Sequence, residues 1–141
     1  FIAGCIADAL LDKGVPVIMT NFARLLNKLT DMYSGDRNAY IDSFRKFPLM
    51  IIDDLGVERN SEFAREQVFS VVDSRYRSQL PMIVTTNLSL EELKDTTDLS
   101  KARIYGRVLE RCLPIRVNEQ NIRELNQAAV LARAKQLLNG T

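Results

Sequence analysis

Short runs of apolar residues without polar alternation recur along the chain. Each run is rich in Val, Ile, Leu or Met, and polar residues follow it. Strands that lack alternation are typical of parallel sheets that are covered on both faces. The runs predict strands at 15–20, 48–52, 81–85 and 113–117.

The segments between these runs carry apolar residues at helical spacing, three or four residues apart. The first predicted helix includes Ile2 and stops at Lys13-Gly14. The second begins at Asn21 and has an apolar side that extends to Tyr33, before a turn predicted at Ser34-Gly35-Asp36. Further helices are predicted at 40–47, from 60–62 onward, near 100–111 and at 121–138.

The alternation of predicted strands and helices indicates an α/β fold, a parallel sheet with helices on both faces. The sequence shows no internal repeat, low-complexity tract or linker, and its 141 residues match the size of one ordinary domain. We therefore expect a single domain over residues 1–141.

Composition restricts the chemistry more than the fold. The chain is 46% hydrophobic and carries a net charge of +1, so it has no overall attraction for nucleic acid or membranes. It contains no His, which excludes His-based catalysis within these residues, and its two Cys lack metal-site spacing. No apolar run approaches the roughly 18 residues of a membrane span. With no signal-peptide pattern at the start, we expect a cytoplasmic protein with no membrane partner.

Two carboxylates, Asp53 and Asp54, directly follow the apolar run LMII, where an unpaired charge is costly to bury. The next predicted strand ends in Thr85-Thr86-Asn87, and the helix between the two strands makes them plausible neighbours. Ligands bind at the carboxyl ends of parallel strands, so a phosphate site is predicted here. One Asp would hold Mg²⁺ and the other would polarise a water. In the alternative, Asp53 caps the next turn and Asp54 is merely solvated.

The same stretch resembles the motifs of AAA+ ATPases. LMIIDDLG is similar to a Walker B strand, and MIVTTN is similar to a sensor-1 strand. With RYRSQLP between them and ARIYGRVLERC after them, the order resembles the bacterial helicase-loader group (DnaC/DnaI-like) and its relative, the IstB transposition helper. The resemblance extends from Phe1 to about Arg123. It implies a P-loop NTPase fold that binds ATP and Mg²⁺.

This resemblance also implies roles for individual residues. Asp53 would be the Mg²⁺ aspartate, and Asn87 would be the sensor-1 residue. Asp54 stands where many AAA+ proteins have the catalytic Glu, and the shorter side chain leaves the efficiency of water activation open. Arg123, after the last predicted strand, matches the sensor-2 arginine, which would contact the γ-phosphate.

Three arginines, Arg103, Arg107 and Arg111, lie four residues apart on one predicted helix. Such a row is mildly unfavourable unless anions meet it, although Glu110 could relieve it as part of a solvated surface stripe. The resemblance places an arginine finger on this helix, with Arg107 as first choice and Arg103 as reserve. A finger supplied to a neighbouring subunit implies a homo-oligomer with head-to-tail contacts.

The phosphate-binding motif GxxxxGK[ST] occurs nowhere in the 141 residues. The opening helix resembles the one that follows this Walker A loop. The resemblance therefore implies that the chain is truncated before its first helix and that the native protein is longer. The P-loop strand would then lie between the strands at 81–85 and 113–117. We expect these residues alone to bind ATP weakly or not at all.

The leading function implied by the resemblance is an ATPase that loads the replicative DNA helicase, with single-stranded DNA as a further partner. An IstB-like ATPase helper of a transposase is the alternative within the same fold. A phosphoacceptor receiver domain also has an acidic pair at a strand end, but it needs a further Asp where Thr86-Asn87 stands and a Lys near Val117-Asn118. An interaction domain that has lost its nucleotide site is the remaining alternative.

Overall fold

A computed structural model describes residues 1–56 and 61–117 of the chain. Helices and strands alternate over much of this part, as the apolar pattern predicts. The helices are α1 (Ile2–Leu11), α2 (Phe22–Thr30), α3 (Ser34–Ser43), α4 (Glu62–Arg77), α5 (Leu90–Lys94) and α6 (Leu99–Arg111), and a 3₁₀ turn covers Phe44–Lys46. The strands are β1 (Val17–Asn21), β2 (Leu49–Leu55) and β3 (Met82–Thr86).

The strands form a parallel sheet in the order β1-β2-β3. Alternate side chains of the central strand enter two different cores. Met50 and Ile52 pack with residues of α2, α4 and α6, whereas Leu49 and Ile51 pack against α1. The predicted parallel sheet with helices on both faces is therefore confirmed. Burial on both sides also explains why this strand lacks polar alternation.

Side-chain caps fix the starts of two helices that border the sheet. Asn21 and Ser61 each accept a hydrogen bond from the backbone N–H three residues later, at 2.9 and 3.1 Å. Such caps satisfy N–H groups that have no partner within the helix. Both α2 and α4 consequently begin close to their predicted positions.

A buried arginine holds the amino-terminal ends of β2 and β3 together. Arg75 on α4 is only 2% exposed. Its guanidinium donates hydrogen bonds to the carbonyl oxygens of Phe44, Phe47, Pro48 and Pro81. Burial lowers the pKa of this guanidinium. The Arg75 side chain joins the segments that lead into β2 and β3. The carboxyl ends of these strands, at the opposite edge of the sheet, are not occupied by this contact.

The predicted turn at Ser34-Gly35-Asp36 is wrong, because these residues form the first turn of α3. Tyr33 does not extend the buried side of α2 either. It has an extended backbone before Ser34 and is 85% exposed. The helix predicted at 40–47 instead comprises the end of α3 and the 3₁₀ turn. Polar residues that favour turns are also favoured at the starts of helices. The sequence pattern therefore indicated a turn where a helix begins.

The strand predicted at 113–117 is wrong. Residues 113–117 are irregular, and Leu113 and Ile115 are 84% and 78% exposed. A strand is stabilised by its hydrogen bonds to a neighbour, and within the described residues this segment pairs with no other strand. Apolar composition alone therefore overstated its order. The short helix α5 was also not predicted.

Two expectations fall on residues 118–141, which lie outside the described part. They are the closing helix at 121–138 and the sensor-2 role of Arg123. Within the described ranges, no helix is both long and apolar enough to cross a membrane.

Candidate functional site

The ends of β2 and β3 are joined through the hydroxyl of Thr85. This hydroxyl donates to Asp53 Oδ1 at 2.5 Å and accepts from the backbone N–H of Asp54 at 3.0 Å. Asp53 is half-buried and Asp54 is exposed. The structure thus brings the acidic pair and the polar end of the next strand together. The sequence pattern indicated no separate role for Thr85, although this residue stands in the polar triplet at that strand end.

A β-bulge explains how two carboxylates can follow a buried strand. The register between β2 and β3 pairs Ile52 with Val84 but Leu55 with Thr86, so β2 contains one extra residue. Without the bulge, Asp54 would occupy the core face of Met50 and Ile52. Leu55 takes that position instead and is 1% exposed.

The backbone of Asp54 adopts the left-handed conformation, with φ of 59°. This conformation is unfavourable for most L residues, and Asp and Asn adopt it more readily than the others. Residues held in this way concentrate at functional sites. The bulge turns Asp54 outward while Asp53 remains fixed by Thr85, so adjacent carboxylates occupy different environments.

The loops that follow the two strands are also fastened to each other. Thr86 Oγ1 donates to the carbonyl oxygen of Leu55 at 2.7 Å and accepts from the N–H of Leu88 at 3.1 Å. Gly56 has φ of 99°, and a Cβ there would lie 2.7 Å from Leu88 Cδ1. Glycine is therefore required at this close approach.

Asn87 lies between Thr86 and Leu88, and its side chain is exposed. Both neighbours contact the end of β2, so Asn87 lies at the same edge of the sheet as the acidic pair. Its amide makes no side-chain hydrogen bond to the described residues, which leaves it available to a ligand.

The donor set at this edge fits Mg²⁺. This cation prefers oxygen ligands and is usually bound through one or two carboxylates, with waters and substrate phosphates completing the shell. Thr85 occupies one oxygen of Asp53, and the second oxygen has no hydrogen-bond partner among the described residues. No cluster of three or more His, Cys, Asp or Glu occurs in the described ranges. A cation held here would therefore take its remaining ligands from waters and a bound phosphate.

The predicted arginine row lies where α4 and α6 pack side by side in the same direction. Contacts between the two helices follow one another in order along both. The successive pairs are Arg65 with Asp98, Phe69 with Arg103, Asp73 with Arg107, and Tyr76 with Glu110. Arg103 and Arg107 therefore face the aromatic and acidic side chains of α4.

Arg107 is held at this helix pair and is not a freely solvated side chain. Its Nε lies 2.6 Å from Asp73 Oδ1, and its Cζ lies 4.7 Å from the ring centroid of Tyr76 and 5.3 Å from that of Phe69. The Nε–H is not aligned with the carboxylate oxygen, so the contact is an ion pair. Arg103 is exposed and stacks on Phe69 at 4.3 Å.

Asp73 was missed by the sequence reasoning. Its side chain is 12% exposed and also binds Arg77, whose Nε lies 2.7 Å from Oδ2. Glu110, which the sequence suggested as a partner of the arginines, instead accepts a hydrogen bond from the Tyr76 hydroxyl at 2.7 Å. This hydrogen bond raises the pKa of Tyr76. The available signal for Asp73 was a carboxylate beside the apolar side of α4, a position that requires cationic partners.

Comparisons with known proteins give a consistent assignment. A family model described as IstB-like ATP binding protein matches residues 1–129. The replicative helicase loader DnaI of Bacillus subtilis (strain 168) is 28% identical over 137 residues, and the match covers 87% of this chain and 43% of DnaI. The replicative helicase loader DnaC of Escherichia coli (strain K12) is 24% identical over 110 residues, covering 76% of this chain and 44% of DnaC.

A crystal structure of DnaI is also similar, with a TM-score of 0.62 and 23% identity. The match covers 80% of this chain and 63% of that one. At this identity the likeness shows the fold alone, an α/β arrangement of a parallel sheet with helices. The chain spans less than half the length of the two curated relatives. Because the family model matches well over half of the 141 residues, the chain belongs to the family of IstB-like ATP-binding proteins.

Proposed function

We propose that the protein containing this chain is an AAA+ ATPase that loads the replicative DNA helicase. The observation that carries the proposal is the bulged end of β2, where Asp53 is fixed by Thr85 and Asp54 is turned outward beside the loop that contains Asn87. Family membership supports ATP as the nucleotide. The two curated relatives, both named replicative helicase loaders, support the biological role.

The acidic pair divides the chemistry between its members. Asp53 would hold Mg²⁺, and the cation would supply charge that stabilises the phosphates, while Thr85 keeps the carboxylate in place. Asp54 polarises the attacking water. The bulge turns Asp54 outward, so its exposed carboxylate needs no buried partner. Asn87 orients the water or bonds the terminal phosphate.

Arg107 acts on the nucleotide of a neighbouring subunit, where an arginine stabilises the charge of the transition state. Arg103, the more exposed of the two, is the reserve for this role. Arg123 contacts the γ-phosphate within its own subunit. This arrangement requires copies joined head to tail in a ring or spiral. Hydrolysis by an isolated subunit is then slow.

The partners follow from the proposed role. The replicative helicase is the protein partner, and single-stranded DNA is the nucleic-acid partner, with no contact residue assigned. Action at a replication fork places the protein in the cytoplasm.

The second candidate is an IstB-like ATPase helper of a transposase, and the description of the matching family favours it. Family membership leaves the phosphoacceptor receiver domain without support.

The distinguishing experiment uses the full-length protein, the replicative helicase of the same organism and circular single-stranded DNA. A loader forms an ATP-dependent complex with the helicase and increases the amount of helicase bound to the DNA. Asp54→Asn serves as the hydrolysis-deficient comparison, and Asp42→Asn as the matched surface control, since Asp42 pairs only with exposed Arg45 among the described residues. Failure to bind the helicase, together with ATP-dependent stimulation of a transposase, would instead establish the second candidate.

A further inference from the structure

The ion pair between Asp73 and Arg107 involves the inner nitrogen, Nε, of the guanidinium. The closest contact runs through Nε, and both Nε and Asp73 Oδ1 are buried. The Arg107 side chain is nevertheless 28% exposed, so its exposure belongs to other atoms of the side chain. A guanidinium that is approached at Nε still has an edge formed by its two Nη groups, and this edge matches an oxyanion in a bidentate manner.

The surroundings of the guanidinium restrict it further. The rings of Tyr76 and Phe69 lie near its carbon atom, both on α4, the helix that carries Asp73. The Tyr76 ring is itself held by its hydrogen bond to Glu110, three residues beyond Arg107 on α6. An arginine normally loses considerable side-chain entropy when it binds an anion. Here the neighbouring groups remove that freedom before an anion arrives.

We propose that Asp73 is a positioning residue that, with the aromatic rings of α4, orients Arg107 for a phosphate oxyanion of the adjacent subunit's nucleotide. This inference rests on the proposed function, because it needs Arg107 to act between subunits. Asp73 contacts neither the nucleotide nor the water. It acts by fixing the position and direction of the Arg107 guanidinium, so that little reorganisation is needed in the transition state.

The test is a double-mutant cycle in the assembled full-length protein, with kcat and KM for ATP measured separately. Arg107→Ala lowers kcat by about 1,000-fold or more, the size expected for an arginine finger. Asp73→Asn lowers kcat by about 100-fold, as for a misplaced catalytic group, and changes KM little. The double variant is no slower than Arg107→Ala alone, because Asp73 acts only through Arg107.

The matched control is Arg77→Ala, which removes the other arginine from the same carboxylate. Arg77 is 70% exposed and binds Oδ2 rather than Oδ1, so this variant retains the wild-type kcat. Thermal melting and sedimentation establish that each variant is folded and assembled. If Asp73→Asn does not fold, Tyr76→Ala replaces it, because it removes one ring and leaves the ion pair in place; kcat is then expected to fall.

The outcomes separate the two levels of the proposal. A folded, assembled Asp73→Asn with wild-type or raised kcat, beside an inactive Arg107→Ala, overturns the positioning role and leaves the proposed ATPase function intact. Wild-type kcat in Tyr76→Ala, where that variant is used, does the same. If Arg107→Ala itself retains full kcat, the finger assignment is wrong and the inference fails with it.

Discussion

The hydroxyl of Thr85 lies 2.5 Å from Asp53 Oδ1 and links the ends of β3 and β2. The Thr85 hydroxyl oxygen also accepts a hydrogen bond from the backbone N–H of Asp54, so this one side chain contacts both acidic residues. Without these hydrogen bonds, the positions of the two adjacent carboxylates would be set only by the loop that follows the strand. Here the two residues are ordered by the sheet before any ligand binds, which is the form of preorganisation that favours catalysis.

Replacing Thr85 separates the role of its hydroxyl from that of its shape. Thr85→Val keeps the β-branched side chain and loses both hydrogen bonds, at an expected cost of about 1 kcal/mol of stability for each. We expect Mg²⁺-dependent ATP hydrolysis by the full-length protein to fall more steeply than this loss of stability explains. Thr85→Ser, which restores the hydroxyl, is the control. Equal hydrolysis by Val and Ser variants would contradict the role given to Thr85.

Gly56 provides a stability test of the close approach between the two loops. Gly56→Ala places a methyl group against Leu88 and forces a positive φ on a residue with a side chain. We expect a loss of about 1–3 kcal/mol, measured by urea denaturation. The matched control is Gly106→Ala, since a Cβ at this helical position meets nothing within 4 Å. The control should gain about 0.5–1 kcal/mol, because alanine favours a helix interior.

Arg75 is expected to be structural rather than catalytic. Arg75→Leu removes the guanidinium hydrogen bonds to four carbonyl oxygens and leaves those of Phe47 and Pro48 without this donor, and we expect a loss of about 3 kcal/mol or more. Arg77→Ala, two residues away on the exposed side of α4, should cost about 1 kcal/mol or less, because Arg107 still pairs with the Asp73 carboxylate. Similar denaturation midpoints for the two variants would contradict the structural role given to Arg75.

Asp98 predicts a pH dependence of stability. Hydrogen bonds from the N–H groups of Lys101 and Ser100, with the nearby Arg65 and Lys101 charges, lower the pKa of this carboxyl below its ordinary value of 3.8. A group whose pKa is lower in the folded state contributes stability above its unfolded value and loses it as pH falls through the folded value. The melting temperature of Asp98→Ala should therefore lie below that of the wild type at pH 6. The gap should narrow below pH of about 3.8, and a gap independent of pH would contradict the assignment.

The sequence was sufficient for the sheet and for the edge at which the acidic pair lies. The unbroken run at 48–52 indicated a strand buried on both faces, and the polar ends of two successive strands indicated a shared edge. The apolar run at residues 113–117 did not form a strand, and within the described residues no strand pairs with it. Strand pairing depends on distant residues, which a local pattern does not contain.

The remaining features of the site are not local. The bulge at Asp54 arises because Leu55, not Asp54, fills the core, and that exchange depends on packing against α4 and α6. The Asp73–Arg107 pair joins residues 34 positions apart and follows from the parallel course of two helices. Spacing along a single helix indicated only that the arginines share a face.

The most direct test concerns Asp54. Full-length protein is assayed with Mg²⁺-ATP for nucleotide binding and for hydrolysis, and wild type is compared with Asp54→Asn, which tolerates the same left-handed backbone. Asp42→Asn is the control for removal of an exposed carboxylate. We expect Asp54→Asn to bind ATP normally and to hydrolyse it about 100-fold or more slowly. Hydrolysis by Asp54→Asn at the wild-type rate would show that the outward carboxylate at the end of β2 does not activate the water.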